Sequence, residues 1–187
     1  MSTLTRAENL TEEQLLSLPH IGKAEMIDGR LIVAPAGFEH GGVSMRLGSK
    51  LFNHIDANRL GMVFDSSTGF WMRSGDLLSP DVAFVAAARL KGMKRLPRKF
   101  FQGSPDLLAE VLSPNDKPHE IERKMTEYFA SDTKLAWLVD PATKTVTLYH
   151  SARPDRVLGG NDVLDGEDVV PGFTLPLEQL FAQPDFG

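Results

Sequence analysis

The residues best placed to do chemistry are two acids set against apolar runs. Asp81 heads Val82-Ala83-Phe84-Val85, and Glu110 lies inside Leu107-Leu108-Ala109-Glu110-Val111-Leu112. Burying a carboxylate without compensation is costly, so an acid embedded in a hydrophobic strand implies a nearby cation, a donor network or a raised pKa. Carboxylates from neighbouring strand ends can converge on one hard divalent cation. Mg2+ prefers oxygen ligands and keeps several waters while bound by one or two protein carboxylates. Such a cation polarises a phosphoryl oxygen and lowers the pKa of an attacking water, and an adjacent lysine orients that water or neutralises developing charge. The competing structural reading makes Asp81 a turn residue after Pro80 and Glu110 a salt-bridged core acid.

Holding two acids in register requires a sheet and helices to cover it. Thr11 offers an N-cap, Glu12 and Glu13 supply first-turn acids and Gln14 stands at the capping-box position, predicting a short helix to about Leu18, before Pro19. The apolar runs Ala24 to Ile27 and Leu31 to Ala34 flank Asp28-Gly29, whose tolerance of positive φ predicts a β-hairpin. Val43, Leu47, Leu51 and Ile55 recur every four residues in a proline-free stretch from Phe38 to about Leu60, predicting the longest helix, with Gly61 as its stop. Strands are expected over Met62 to Phe64, Gly69 to Met72, Ser79 to Val85 and Leu107 to Leu112. The spacing of Ile121, Met125, Tyr128 and Phe129 predicts a helix over His119 to Ala130.

A second hairpin is expected from Leu135 to Val139 and Thr145 to Tyr149, around a turn beginning Asp140-Pro141. Weaker strand signals at Val163 and Val169 and a short helix opened by Pro176 close the chain. This order indicates α+β tending to α/β: a mixed β-sheet flanked by helices, behind an N-terminal β-hairpin. The length suits one domain over residues 1–187, with 1–20 as N-terminal helix and linker, 21–181 as core and 182–187 as tail.

Hydrophobic residues at 42% and charged ones at 24% are ordinary globular values. The absence of cysteine excludes disulfides, thiolate zinc sites and cysteine nucleophiles. Residues 1–9 lack the pattern of a secretory signal, and no apolar run approaches the roughly 20 residues of a membrane helix, so a cytoplasmic, non-membrane protein is expected. A net charge of -5 opposes general polyanion binding. Locally the balance reverses: Arg89, Lys91, Lys94, Arg95, Arg98 and Lys99 fall in one acid-free segment, either a phosphate-binding loop or a solvated surface. Neither a Walker loop, a dinucleotide glycine fingerprint, a His-Glu-x-x-His pair nor a Gly-x-Ser-x-Gly elbow is present.

Pro80-Asp81, an interval of about thirty residues and then Glu110 on a strand followed by a helix resemble the PD-(D/E)xK nuclease superfamily. Five segments in order extend the likeness: Glu25-Met-Ile-Asp28-Gly29, Ser79-Pro-Asp81-Val-Ala-Phe-Val, Pro105-Asp-Leu-Leu-Ala-Glu110-Val-Leu-Ser-Pro114, Lys124 to Tyr128, and Trp137-Leu-Val-Asp140-Pro141. Together they are similar to the Uma-type restriction endonucleases and span nearly the whole chain. The resemblance implies a restriction-endonuclease-like core in which Asp81 and Glu110 hold Mg2+ or Mn2+, with DNA as substrate.

The chain departs from the wider superfamily at the lysine expected two residues after the second acid, which here is Leu112. Residue 112 shares a strand face with Glu110, so leucine leaves the cation to come from elsewhere. Lys124 matches the lysine of the Uma-type pattern, on the helix that follows, and Lys117 is the second choice. Glu25 matches the family's early acid, as a further ligand or a supporting contact, with a solvated hairpin acid as the alternative. His40, on the buried side of the long helix, is a candidate for phosphate or metal-bound water, or else a satisfied core histidine.

Asp106 and Asp140 read as turn and cap residues. Ser113 lacks a triad, and Trp71 and Trp137 are core residues before they are base-stacking platforms. The leading expectation is a metal-dependent endonuclease acting on DNA. The alternatives are a nuclease-fold binding or regulatory module without turnover, and a hydrolase of small phosphate esters. Cutting both strands of a duplex commonly uses two sites related by a twofold axis, so a homodimer is compatible, although no interface is legible.

Overall fold

A computed structural model describes residues 10–18, 23–33, 36–183 and 187. Residues 1–9, 19 and 20 of the expected N-terminal helix and linker, Ala34 at the end of the expected hairpin and residues 184–186 of the tail lie outside that set. The first element of the described residues is helix α1, Glu12–Ser17, held by the Thr11/Gln14 capping box. The hairpin β1, Ala24–Ile27, and β2, Arg30–Val33, follows, with Asp28 and Gly29 both at positive φ, as a two-residue turn of this hand requires. Next come α2, Phe38–Asn58; β3, Gly61–Asp65; β4, Phe70–Trp71; β5, Leu77–Leu78; β6, Val82–Ala86; and the single turn α3, Ala87–Leu90. The remainder is β7, Phe101–Gln102; β8, Leu107–Val111; α4, Pro118–Ala130; β9, Leu135–Asp140; β10, Thr145–Tyr149; β11, Pro154–Leu158; β12, Val163–Asp165; β13, Thr174–Pro176; and α5, Leu177–Leu180.

The main sheet has the order β11-β10-β9-β8-β6-β3, with β8 and β9 parallel and every other pair antiparallel. A parallel pair demands a crossover, and α4 provides it. Two cores follow from the two faces of this sheet. On one, the Val43, Leu47, Leu51 and Ile55 stripe of α2 packs with Val82, Phe84, Ala109, Val111 and Trp137. On the other, Met125 and Tyr128 of α4 pack with Ala83, Val85, Leu108, Phe70 and Leu78. A smaller sheet, β2-β1-β5-β4-β7, carries the hairpin beside that second face, and α1 buries Leu15 against Met26, Leu31 and Val33.

Two expectations are corrected. Gly61 does not stop α2; Arg59, in the left-handed conformation, does, and Leu60 N–H closes the end onto the Ile55 carbonyl. Gly61 instead opens β3 where a Cβ would stand 2.1 Å from the Val85 carbonyl oxygen, a close approach only glycine permits. Val169 lies in a turn, and the strand pairing with β12 is β13. β11 carried no legible signal, because a proline-initiated, largely exposed strand at the sheet edge lacks apolar alternation.

Candidate active site

β6 and β8 pair antiparallel with Val82 opposite Ala109 and Ala83 opposite Leu108. One step further in that register sets Asp81 across from Glu110, at the end of the sheet. Paired positions project from the same face, so both carboxylates emerge beside Ala83 and Leu108, toward α4 and the hairpin. Both are buried, each residue only 4% exposed. Glu25, on β1 and also buried, joins them from the second sheet and accepts the Ser79 N–H at 3.0 Å.

Each carboxylate divides its oxygens between roles. Asp81 Oδ2 accepts the Val111 N–H at 2.8 Å and lies 3.0 Å from Nε2 of His40, in the first turn of α2. Asp81 Oδ1 meets the Lys23 ammonium at 2.8 Å. Glu110 Oε1 accepts the Tyr128 hydroxyl at 2.6 Å and the Lys124 ammonium at 2.7 Å, while Oε2 lies 3.5 Å from Lys23 Nζ. Lys124 also bonds Glu25 Oε1 at 2.8 Å. Lys124 and Tyr128, four residues apart on α4, therefore clamp one oxygen of Glu110 from one helix face.

The electrostatics follow from crowding three acids and two lysines out of water. Burial alone would raise the Asp81 carboxyl, yet the His40 hydrogen bond and the Lys23 charge hold it well below the usual range. Glu25 is likewise pulled down against its burial by Lys124 and then Lys23. Burial works against the charged form of Lys124, but Glu110 and Glu25 push its pKa above that of an ordinary lysine. Burial and the Glu110 charge raise the Tyr128 phenol, keeping it a donor.

The structure brings Asp81, Glu110, Lys124, Glu25 and His40 into one cluster. It adds Lys23 and Tyr128, which the sequence reading passed over. The signals were present: Lys23 lies two residues before Glu25, just ahead of β1, and Tyr128 four after Lys124 on one helix face. The cluster forms the floor of a groove of about 580 Å³ between the hairpin and the start of α4, lined also by Ile27, Arg30, Ile32, His119 and Arg123. Lys117 is exposed and pairs with Glu120 instead.

The segment 89–99 is not brought to this groove. Arg89 donates to the Ser104 carbonyl at 2.6 Å and pairs with Asp106, at the far end of β6 from Asp81, while Lys99 pairs with Glu12 of α1. Lys91, Lys94, Arg95 and Arg98 are exposed in the same segment or border it, and none lines the groove. Asp106 accepts the Ala86 N–H and Asp140 caps Ala142 N–H, as structural residues do. Trp137 is wholly buried and stacked on Phe173, and Trp71 lies edge-on to Phe100.

Among the described residues, no group of three or more His, Cys, Asp or Glu side chains gathers closely enough to hold a metal by itself. The donor set nonetheless suits a hard cation of the Mg2+ kind, which needs only one or two carboxylates and completes its shell with water. Asp81 Oδ1 and Glu110 Oε2 already turn toward one shared positive charge, that of Lys23.

A mixed sheet with two buried carboxylates at one end and a helix-borne lysine against the second defines a restriction-endonuclease-like class of fold. The solved structure of "a putative nuclease belonging to DUF820" from Anabaena variabilis shares it, with a TM-score of 0.80 at 20% identity, covering 92% of this chain and 98% of that one. Residues 12–178 match the family Uma2, described as "Putative restriction endonuclease", and the chain belongs to that family. No curated protein matches the chain. Among the described residues no helix is long and apolar enough to cross a membrane.

Proposed function

We propose that this chain is a Mg2+- or Mn2+-dependent endonuclease that hydrolyses phosphodiester bonds in DNA, with Asp81 and Glu110 as metal ligands. The observation that carries the reading is the Lys124 ammonium 2.7 Å from Glu110, which supplies from α4 the cation that Leu112 cannot supply from the strand. A bound metal would add charge at the phosphate and activate the attacking water. Lys124 then orients that water or balances charge developing on the phosphoryl oxygens. His40 and the Val111 N–H fix Asp81 in one rotamer and keep it ionised, and Tyr128 and Glu25 hold the Glu110–Lys124 pair in place through their own contacts with it. Arg30 and His119, both exposed along the groove, are placed to meet the backbone of the nucleic acid. The reading places the protein in the cytoplasm, and two copies about a twofold axis would cut both strands.

Cleavage of supercoiled plasmid with Mg2+ or Mn2+ tests the reading. Wild type cuts, and Glu110→Gln, with an unchanged circular dichroism spectrum, does not. Equal cleavage by the two would remove the assignment. One observation favours a second reading, a binding module without turnover: two lysines already neutralise most of the acid cluster. A DNA complex formed equally well in EDTA, with no cleavage in either metal, would support it.

A further inference from the structure

We infer that Lys23 is an internal counter-ion of the metal site, occupying the place of the divalent cation in the resting protein and having to leave before the cation binds. The inference rests on the proposed metal-dependent reading and extends it to how loading is controlled.

The partition of carboxylate oxygens carries it. Asp81 Oδ2 is taken by the Val111 N–H and by His40, and Glu110 Oε1 by Tyr128 and Lys124. Only Asp81 Oδ1 and Glu110 Oε2 are clear of those donors, and the group facing both is Lys23 Nζ, at 2.8 and 3.5 Å. A cation bridging the two acids through these oxygens would coincide with that ammonium. Charge points the same way. Glu25, Asp81 and Glu110 bring three negative charges and Lys23 and Lys124 two positive ones. Adding a divalent cation to the full set leaves a buried cluster with excess positive charge, whereas exchanging Lys23 for it leaves the cluster neutral.

The two lysines differ in their freedom to move. Lys124 is held by two strong contacts from the middle of α4 with its side chain 12% exposed, while Lys23 approaches from just before β1 with 20% exposed, so it has the shorter way to solvent. If Lys23 is in place for roughly nine-tenths of the time, metal affinity is reduced about tenfold, since binding selects the minor open state. In the exchanged state the Lys23 ammonium is free at the groove floor, where a phosphate of the substrate would be its next partner.

Calorimetric titration of Mn2+ into the full chain tests this without reference to turnover. Lys23→Met keeps the stem and removes the charge, and is expected to bind Mn2+ about tenfold more tightly than wild type. Lys23→Arg keeps the charge and is expected to stay near wild type, and Glu110→Gln to lose binding. If Lys23→Met binds no tighter while wild type binds and Glu110→Gln does not, the counter-ion role is overturned and the metal reading stands. If none of the proteins binds Mn2+, both fall. A second measurement uses only wild type: reductive methylation read by mass spectrometry should label Lys23 faster in saturating Mn2+, with Lys124 unchanged. Labelling of Lys23 indifferent to Mn2+ would also overturn the role.

Discussion

Two buried aspartates stand at opposite ends of the β6–β8 pair, and their surroundings differ in charge balance, not in burial. Asp106 is 1% exposed and Asp81 4%. Asp106 faces two cations, Lys134 at 2.9 Å and Arg89 at 3.3 Å, and the Ala86 N–H, with no second acid in the group. Asp81 shares Lys23 with Glu110, which shares Lys124 with Glu25. One end holds one acid for two cations, and the other holds three acids for two lysines. A buried acid by itself therefore says little. An excess of buried acid around shared cations is what a fold has no structural reason to keep, and it marks the end where a further cation is wanted.

The largest way to break the comparison is Lys124→Met. It would leave Glu25 and Glu110 without the cation they share, and breaking a buried ion pair from one side costs about 3–5 kcal/mol. Urea denaturation should show that loss, and the double variant Lys124→Met/Glu25→Gln should recover part of it. A loss under about 1 kcal/mol would mean that water reaches these acids freely.

Asp106→Asn is the counterpart and should be milder. Asparagine keeps an oxygen for the Ala86 N–H, and Arg89 and Lys134 are exposed enough to regain water, so a cost of about 1–2 kcal/mol is expected. Mn2+ affinity and plasmid cleavage should be unchanged in this variant, whereas Asp81→Asn should abolish both. A drop in cleavage with Asp106→Asn at full folding would show that the two ends are coupled.

Acid should act on both ends together. The carboxyls of Asp81 and Asp106 are held below their ordinary value of 3.8, and that of Glu25 below 4.5. Each contributes stability that is complete above its unfolded value and is lost as pH falls through its lowered folded one. The contribution of these carboxyls to the unfolding free energy should be flat from about pH 5 upward and fall steeply below about pH 4. The Asp81→Asn and Asp106→Asn variants should each flatten part of that limb, and a wild-type midpoint insensitive to pH between about 2 and 4 would contradict it.

How much of this was legible depended on distance along the chain. Asp81 and Glu110 stood out because acids interrupt apolar runs, and Lys124 because it matches the lysine of the Uma-type pattern where Leu112 left a place to fill. Their convergence is a matter of strand register, which the pattern of β6 and β8 fixes once the two are paired. The oxygen partition was not legible, since it depends on His40 and Lys23 arriving from elements on either side of the sheet end. The fate of segment 89–99 was hidden for a related reason. A cluster of cations advertises a polyanion, but Arg89 and Lys99 are used internally, by Asp106 and Glu12, residues remote in sequence. The helices were found because burial imposes a four-residue rhythm on α2 and α4. Edge strands such as β11, exposed on both sides, obey no such rhythm.

The smallest prediction asks whether acid excess or burial makes the difference. His150 lies between Asp155 at 3.1 Å and Glu167 at 2.5 Å, so here too two acids crowd one shared group, although Glu167 also meets Arg156 at 3.6 Å and the His150 side chain is 41% exposed. The Glu167 hydrogen bond raises the imidazole above its ordinary 6.5 despite some desolvation, with Asp155 adding to the effect. A raised folded value means that the stabilisation is complete below the unfolded pKa and disappears as pH rises through the folded one. Solvent screening limits it to under about 1 kcal/mol. His150→Gln should thus cost a few tenths of a kcal/mol at about pH 5.5 and nothing at about pH 9, with Mn2+ binding unaffected at either. A cost as large as that of Lys124→Met would mean that crowding of acids is penalised wherever it occurs, and the distinction between the two ends of β6 would lose its basis in burial.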